Sequence, residues 1–371
     1  MSLAGHCWGG RGGSEQTRGE TGPSHRRLLL SGWPRRNVYL LELGGEDDAF
    51  AAREAASACS DVERVARGLA TARGATARVR GLAYTHAASA LVGTATGGVD
   101  AAATLLDAAT LDRTGSVAVR ARDVRSAAGV STQRAERELG GVLVDRGFTV
   151  DLDDPDHELR ALFSTDGGDA VAALGWLEAE SVRDFGERRP TDKPFFQPGS
   201  MDPLLARAIA NIAGARPGRT VLDSMCGTGG VLIEAGLVGA DVLGNDAQWK
   251  MARGAHENLA RYLADGTPGL PAPGAFTVVR GDATRLPFTD DAADCVVFDA
   301  PYGRQSKIAN RSLDALVADA LAESRRVATR GVVVGDRSWA DAAREAGWTV
   351  TEQFVRPVHG TLDRHVVVLS G

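Results

Sequence analysis

Lysine, cysteine and histidine are all scarce in this 371-residue sequence. Lys193, Lys250 and Lys307 are the only lysines, so arginine supplies nearly all of the 42 basic residues. The four cysteines lie far apart and lack C-x-x-C spacing, which argues against a disulfide framework or a structural zinc site and favours the reducing cytoplasm. The seven histidines form no H-x-x-x-H pair, so we expect neither a zinc protease motif nor a metal site.

Long apolar runs are also missing from the sequence. No run reaches the roughly 18 residues that span a bilayer, so we expect no membrane segment. The formal net charge is −6, and an acidic chain is a poor candidate for nucleic-acid binding unless its basic residues are clustered. Acidic excess, scarce lysine and abundant alanine resemble the composition of proteins from salt-loving archaea.

The chain divides into four stretches of different texture. We predict a disordered extension or wrongly chosen start at residues 1–37 and an α+β domain at 38–165. A linker at 166–193 and an α/β domain at 194–371 are expected to follow. The α+β assignment rests on strand patterns at 38–43 and 116–123 and on a helix capped by Ser131. Residues 59–112 are ambiguous, and we interpret them as helices separated by short strands.

Repeating strand–helix units begin at Thr220 and indicate a doubly wound α/β sheet with right-handed crossovers. Continuous apolar runs such as 294–298 are typical of parallel strands, which are covered on both faces. The last two runs, 349–355 and 365–369, are expected to close the sheet as an antiparallel pair.

A glycine-rich loop, Ser224–Gly230, follows the first strand of this sheet. Its glycines allow a tight turn, and the next helix would point free N–H groups at a carboxylate or pyrophosphate. Asp223 precedes the loop, and Asp246 ends the second strand, where an acid can bind ribose hydroxyls. Asp282 ends the third strand, where an acid and an adjacent N–H can bind the edge of an adenine. Together these features predict a nucleotide-type site.

The fourth strand ends in Asp299-Ala300-Pro301-Tyr302. In open α/β sheets, ligands bind outside the carboxyl ends of the strands. An acceptor carboxylate, a rigid turn and an aromatic ring at that position suit a planar amine.

Two groups of basic residues offset the acidic balance locally. Arginine suits phosphate contact because its planar fork binds two oxygens, although a solvated surface is the simpler explanation for such groups. The two groups are Arg120, Arg122, Arg125, Arg134 and Arg137, and then Arg183, Arg188, Arg189 and Lys193.

The loop, the strand-end acids and the Asp299 turn resemble the motifs of S-adenosylmethionine methyltransferases. With Pro194-Phe195-Phe196-Gln197-Pro198-Gly199 ahead of them, the chain is similar to the archaeal tRNA guanine-N2 methyltransferases that modify guanine 10. The resemblance implies a Rossmann-like class I methyltransferase sheet with an antiparallel C-terminal strand, preceded by an α+β THUMP-type RNA-binding domain. It also implies S-adenosylmethionine as cofactor, tRNA as partner and a cytoplasmic monomer. The chain departs from the family at Ala300 and Ser224, where proline is usual, and Ala300 could loosen the turn.

The resemblance also assigns residues to roles. The implied catalytic residues are Asp299, Pro301 and Tyr302. The implied cofactor-binding residues are Phe196, Pro198, Asp223, Cys226, Gly227, Gly229, Asp246, Asp282 and Ala283. The expected RNA-binding residues are Arg120, Arg122, Arg134, Arg188 and Arg189.

The guanine amine is a poor nucleophile because its lone pair is conjugated with the ring. Asp299 and a carbonyl of the turn can accept its hydrogens and aim the lone pair, while Tyr302 stacks on an extruded base. An N6-adenine or protein-glutamine methyltransferase shares this turn chemistry. A nicotinamide dehydrogenase would need a third glycine at Leu232, and a catalytically silent RNA-binding protein would not need Asp299 and Tyr302 together.

Overall fold

The computed structural model of the protein describes residues 38–302, 312–359 and 362–371. The expected extension at 1–37 therefore lies outside the described residues. All described residues belong to one compact unit, Pro34–Gly371.

The N-terminal half is built on an eight-stranded sheet with the order β3-β4-β1-β6-β10-β9-β7-β8. The ten strands of this half are β1 (Tyr39–Leu43), β2 (Cys59–Ser60), β3 (Glu63–Ala66), β4 (Leu69–Ala72), β5 (Gly74–Ala75), β6 (Thr85–Thr96), β7 (Ser116–Asp123), β8 (Thr149–Val150), β9 (His157–Ser164) and β10 (Val171–Glu180). Its helices are α1 (Asp48–Ala55), α2 (Val99–Ala108) and α3 (Thr132–Asp145). Strands β2 and β5 form a separate pair, and β7 runs parallel to both β8 and β9.

Helices α2 and α3 cover one face of this sheet. Leu106 on α2 and Leu139 and Leu143 on α3 are fully buried in one cluster with Leu159 and Phe163 of β9. Leu162 of β9 is buried in a second cluster, so this strand is covered on both faces. The α3 stripe has helical spacing, and Ser131 caps the helix by accepting a hydrogen bond from the Arg134 N–H. The α+β character predicted for this half is therefore confirmed.

Two predictions for this half are wrong. The stretch 59–112, interpreted as mostly helical, consists mainly of strands with α2 as its single α-helix. The predicted linker 166–193 contains β10, a central strand that pairs with β6 on one side and β9 on the other. The connection between the two halves is therefore shorter and starts after Glu180, where two short 3₁₀ turns, Phe185–Arg188 and Pro190–Asp192, replace regular structure.

The C-terminal half is a seven-stranded sheet with the order β13-β12-β11-β14-β15-β17-β16. Its strands are β11 (Thr220–Asp223), β12 (Asp241–Asp246), β13 (Phe276–Arg280), β14 (Cys295–Asp299), β15 (Arg330–Gly335), β16 (Thr349–His359) and β17 (Leu362–Ser370). Its helices are α4 (Pro203–Ala213), α5 (Gly230–Leu237), α6 (Trp249–Tyr262), α7 (Leu313–Val327) and α8 (Ala340–Glu345).

The first five strands of this sheet are parallel, and β17 and β16 close it antiparallel. Val296, Val297 and Phe298 of β14 are almost completely buried, which explains why their run lacks polar alternation. The predicted class I methyltransferase sheet with an antiparallel end is confirmed. Because β17 runs opposite to β15, it starts at the edge where the parallel strands finish.

A seam of buried polar residues joins the two halves. Glu54 of α1 is fully buried and accepts hydrogen bonds from the N–H groups of Ala83 and Tyr84, both 2.6 Å, and from the Asn211 side chain of α4 at 2.7 Å. Burial raises the pKa of Glu54, and these hydrogen bonds oppose that rise. A buried carboxylate that takes its partners from both halves fixes their relative position.

A second buried group lies beside this seam and contains the carboxylate of Glu234 on α5. Arg188 of the connection donates to Glu234 at 2.7 Å and forms a two-pronged contact with Asp184, while Arg207 of α4 forms an ion pair with Glu234 at 2.7 Å. Side-chain exposure is 2% for Glu234, 0% for Arg207 and 4% for Arg188. The charges in this group are therefore held away from water and depend on one another.

Within the described ranges, no helix combines the length and apolarity required to cross a bilayer.

We predict that Glu234→Gln lowers the free energy of unfolding by about 3–5 kcal/mol, since breaking a buried pair leaves an uncompensated charge. The measurement is urea unfolding followed by circular dichroism. Arg344→Gln is the matched control because Arg344 pairs with Asp341 on the exposed surface of α8. The control should change stability by about 0.5 kcal/mol or less. Equal effects for the two variants would contradict the importance of the buried group.

Candidate active site

Three carboxylates lie at the carboxyl edge of the parallel strands. Asp223 ends β11, Asp246 ends β12 and Asp299 ends β14. Strand β11 lies between β12 and β14, so these ends are neighbours. In a sheet of this kind the edge is where ligands bind.

The glycine loop turns between β11 and α5 in the left-handed region at two positions. Gly227 has φ 53° and Gly229 has φ 77°, and a Cβ on Gly229 would come within 3.3 Å of Ala255 on α6. The Gly227 N–H donates to Asp246 at 3.1 Å, which ties the loop to the end of β12. Helix α5 starts at Gly230 without a side-chain cap among the described residues, so its first N–H groups remain available to an anionic ligand.

Burial dominates the electrostatics of this edge. Asp223 is 3% exposed, and burial raises its pKa well above the ordinary range, with further increases from the nearby Asp299 and Asp246 carboxylates. Burial also raises the pKa of Asp246, opposed by hydrogen bonds from the N–H groups of Gln248 at 2.8 Å and Gly227. The pKa of the Cys226 thiol is raised for the same reason, so this cysteine is a neutral part of the loop wall and not a nucleophile.

The turn after β14 brings Asp299 and Tyr302 into direct contact. The Tyr302 hydroxyl donates to Asp299 Oδ1 at 2.8 Å, and Arg364 of β17 donates from Nε to the same hydroxyl at 3.1 Å. Burial raises the pKa of Asp299 to about 6, while the Arg364 charge and the Tyr302 hydrogen bond oppose the rise. Burial and the Asp299 charge raise the pKa of Tyr302, which therefore remains a hydrogen-bond donor at neutral pH.

Ala300 is 2% exposed, and its N–H donates to the Val334 carbonyl of β15 at 2.7 Å. A proline at this position has no N–H to donate. Alanine at this position therefore adds one hydrogen bond to the β14–β15 pairing.

Asn258 and Asn245 are two residues that the sequence analysis missed. Asn258 of α6 is fully buried; it accepts from the Phe195 N–H at 2.9 Å and donates to the carbonyls of Phe195 and Thr228 at 2.8 and 2.9 Å. Asn245 donates to the carbonyls of Ser224 and Gly281 at 3.0 and 3.2 Å. A polar side chain on the apolar face of α6, between Ala255 and Leu259, was the available signal for Asn258.

The segment 194–199 is fastened to the glycine loop through Asn258 and through Ser200, whose hydroxyl lies 3.1 Å from that of Thr228. Phe195 packs so closely on α6 that a Cβ at position 254 would lie 2.0 Å from its ring. Phe196 and Pro198, expected to bind cofactor, are both exposed, and Phe196 is 40% exposed. The half-buried Phe195 is therefore the residue of this segment that packs on α6.

The expected adenine residues follow β13 directly. Asp282 is exposed and accepts from the N–H and hydroxyl of Thr284 at 2.9 and 2.8 Å, and Ala283 is buried. Pro301 is half-buried beside Tyr302. Asp282 and Ala283 therefore lie one strand beyond Asp246, on the side of the edge away from Asp299.

The five arginines expected to bind RNA fall into two classes. The side chains of Arg120, Arg122 and Arg134 are 42%, 51% and 45% exposed, and Arg189 is exposed as well. Arg188 contradicts the expectation, because it is buried in the group around Glu234. Residues near it in sequence are exposed, so the sequence alone could not distinguish this one arginine from its neighbours.

Metal and thiol chemistry can be assessed for the described part of the chain. There, no group of three or more His, Cys, Asp or Glu side chains could hold a metal ion. Cys59, Cys226 and Cys295 are free and buried.

Comparison with known proteins shows which family this chain resembles. Residues 190–364 match the family model described as RMKL-like, methyltransferase domain. The tRNA (guanine(10)-N2)-dimethyltransferase of Methanothermobacter thermautotrophicus is 32% identical over 296 residues, which is 78% of this chain and 83% of that protein. The tRNA (guanine(10)-N2)-dimethyltransferase of Pyrococcus abyssi is 29% identical over 69% of this chain and 74% of that protein.

We predict that Asn258→Leu weakens S-adenosylmethionine binding by about tenfold, because buried carbonyl and N–H groups of Phe195 and Thr228 lose their partner. Titration calorimetry measures the effect. Glu257→Gln, at an exposed neighbouring position on α6, is the control and should bind like the unmodified protein. A folded Asn258→Leu variant with cofactor affinity within twofold of the control would show that the hydrogen bonds of Asn258 do not shape the site.

Proposed function

Because the chain belongs to the family of tRNA (guanine(10)-N2)-dimethyltransferases, we propose that it transfers one or two methyl groups from S-adenosylmethionine to the exocyclic amine of guanine 10 in tRNA. The observation that carries the proposal is the contact between Asp299 and Tyr302, two strand positions from the end of β12 and beside the glycine loop. An amine acceptor is thereby placed next to an anion-binding helix start.

The residues of the edge fit the proposed cofactor, which supplies an electrophilic methyl group on a sulfonium. The start of α5 would hold its carboxylate, since no described side chain caps its first N–H groups, and the loop Cys226–Gly230 would form the wall beside it. Asp246 would accept hydrogen bonds from the ribose hydroxyls, and Asp282 with the Ala283 N–H would bind the adenine. The left-handed glycines support this fit, because a side chain at Gly229 would press on α6.

Asp299 does the positioning on the side of the base. As a carboxylate it accepts an N–H of the guanine amine, which draws the nitrogen out of conjugation and turns its lone pair toward the methyl group. The carbonyls of the turn at Ala300 or Pro301 can accept the second hydrogen. Tyr302 offers a ring face for the base, which must leave its helix to reach this edge. With a pKa of about 6, Asp299 is mostly ionised at neutral pH.

We assign tRNA capture to the N-terminal half as a THUMP-type domain. A groove of about 350 Å³ between α3 and strands β7 and β8, here called the α3 groove, supports this assignment. Exposed apolar side chains of Val144, Val150 and Leu152 line it, with Arg120 and Arg137 at its side. Apolar surface flanked by arginine suits an unpaired nucleotide and its phosphate. One chain carries both this groove and the catalytic edge, in keeping with a cytoplasmic enzyme that acts as a monomer.

The function is tested by nucleoside mass spectrometry of tRNA treated with enzyme and S-adenosylmethionine. We expect N2-methylguanosine and N2-dimethylguanosine, and their loss when guanine 10 of the tRNA is replaced by adenine. Asp299→Ala should lower the single-turnover rate by about 100- to 1,000-fold and leave cofactor affinity within a few-fold. Asp246→Ala should weaken the cofactor and retain turnover at saturation.

Asp341→Asn is the control for the pair of aspartate variants, because Asp341 is an acid on α8 whose side chain is 93% exposed. It should keep both rate and affinity. Methylation of guanine 10 by Asp299→Ala at the unmodified rate would show that the catalytic turn is elsewhere.

A second prediction concerns the α3 groove. Arg137→Glu should weaken tRNA binding severalfold and reduce the slope of log affinity against log salt concentration by about 1, because one phosphate contact is lost. S-adenosylmethionine affinity should stay unchanged. Fluorescence anisotropy with labelled tRNA over a salt series measures both quantities. Arg344→Glu on the exposed face of α8 is the matched reversal; the same loss in both variants would point to long-range charge and not to the groove.

A further inference from the structure

The antiparallel end of the sheet delivers an arginine to the catalytic edge. His365 of β17 pairs with Gly335, the last residue of β15, so Arg364 lies just beyond the carboxyl end of the parallel strands. Only an antiparallel strand can present its first residues at this edge. Arg364 is 4% exposed, although it is charged and has no place in the motifs that the sequence analysis identified.

Arg364 contacts two different parts of the site. Its Nε donates to the Tyr302 hydroxyl at 3.1 Å, and its Nη2 lies 3.4 Å from the Gly199 carbonyl at the end of the segment 194–199. The Tyr302 hydroxyl in turn donates to Asp299 Oδ1 at 2.8 Å. One buried guanidinium therefore links the catalytic turn to the segment that Asn258 holds against the glycine loop.

The chemistry of the three groups fixes the direction of these hydrogen bonds. A guanidinium can only donate, and a tyrosine hydroxyl has a single hydrogen. When the hydroxyl oxygen of Tyr302 accepts from Arg364, its one hydrogen is free to go to Asp299. A carboxylate that receives this hydrogen is stabilised in its charged form, and the phenol then has no hydrogen to donate to the substrate.

We propose that Arg364 is a positioning residue for methyl transfer: it holds the Tyr302 hydroxyl as a donor to Asp299, and so maintains Asp299 as an ionised acceptor for the amine and Tyr302 as a fixed stacking face. The proposal rests on the proposed function and deepens it, since it names the group that prepares the catalytic carboxylate. Arg364 acts through Tyr302 and through its charge, and does not itself contact the reacting atoms.

The charges that face Asp299 act in opposite directions. Asp336, which follows β15, raises its pKa, and Asp299 and the buried Asp223 of β11 stand close enough to interact. Arg364 of β17 is the cation that lowers the pKa of Asp299 most, and the Tyr302 hydrogen bond lowers it further. Removal of Arg364 would leave burial and like charges opposed only by the Tyr302 hydrogen bond, and the pKa of Asp299 would rise. An opposite charge at short range typically accounts for one to three pH units.

The test uses the full chain and the substitutions Arg364→Met and Arg364→Lys. In the unmodified enzyme, the single-turnover rate should fall as the pH drops through about 6, where Asp299 gains its proton. In Arg364→Met, we expect this midpoint to move up by about two units. The rate at pH 7 should drop by about tenfold and recover in large part at pH 9. Arg364→Lys keeps the charge and should show a smaller shift.

Tyr302→Phe provides a second, independent test. Because Arg364 acts partly through the hydroxyl, Arg364→Met should cost less in the Tyr302→Phe background than in the unmodified enzyme. Arg337→Met is the matched control: Arg337 is an exposed arginine at the same edge that pairs with Asp314, and its loss should leave rate and pH midpoint unchanged. S-adenosylmethionine affinity reports whether each variant has folded.

A readout without substrate separates this proposal from the proposed function. With aspartate labelled by ¹³C at the carboxyl carbon, the Asp299 signal can be identified by its absence in Asp299→Asn, and its titration followed in the free enzyme. An upward shift of the Asp299 pKa in Arg364→Met supports the positioning role of Arg364 even if tRNA is not the substrate. Two results together would overturn the proposed role of Arg364. The first is a rate loss in Arg364→Met without a shift in the pH midpoint of the rate or in the ¹³C titration of Asp299. The second is that the effects of Arg364→Met and Tyr302→Phe on the rate are additive.

Discussion

The buried carboxylate of Glu234 is the constraint on which the arrangement of the two halves depends. It lies on α5, the helix that starts at the glycine loop, and it is held by Arg207 of α4 and Arg188 of the connection. Because a buried ion that leaves its partners costs several kcal/mol of free energy, the start of α5 is fixed by elements outside the sheet. Lys193 adds to this, since its Nζ would lie 3.2 Å from a Cβ at Gly230. The cofactor loop is therefore supported from the side of the RNA-binding half.

The same logic explains why the stretch 166–193, predicted as a linker, is held by specific contacts. Glu54 and Asn211 join α1 to α4, and β10 places the end of the N-terminal sheet directly before the buried arginines. A fixed geometry sets one distance between the α3 groove and Asp299. Under the proposed function, this constant separation would let the α3 groove determine which nucleotide of a folded tRNA reaches the Asp299 turn.

The local and periodic features of the structure could be predicted from the sequence. Apolar runs located the five parallel strands, and the strand-end acids Asp223, Asp246 and Asp299 followed from them. Strand β10 was missed because the Gly167–Gly168 turn resembles a domain end, although Val171–Glu180 is itself apolar. Contacts between distant residues were beyond reach: Asn258 meets Phe195 across 63 positions and Arg364 meets Tyr302 across 62. Arg188 was wrongly assigned to RNA binding, because its burial depends on the position of Glu234 in the folded protein.

The charge of the edge connects cofactor binding to the state of the catalytic carboxylate. Asp223, Asp246 and Asp299 meet there in a chain that is already acidic, and burial favours their neutral forms. Arg364 is the cation the protein provides against this tendency, and the sulfonium of S-adenosylmethionine is a second one that arrives only with the cofactor. Each positive charge favours ionised Asp299. By linkage, ionised carboxylates in turn favour a cationic cofactor over its neutral product. The acidic edge therefore prepares the amine acceptor and favours exchange of spent cofactor through one electrostatic interaction.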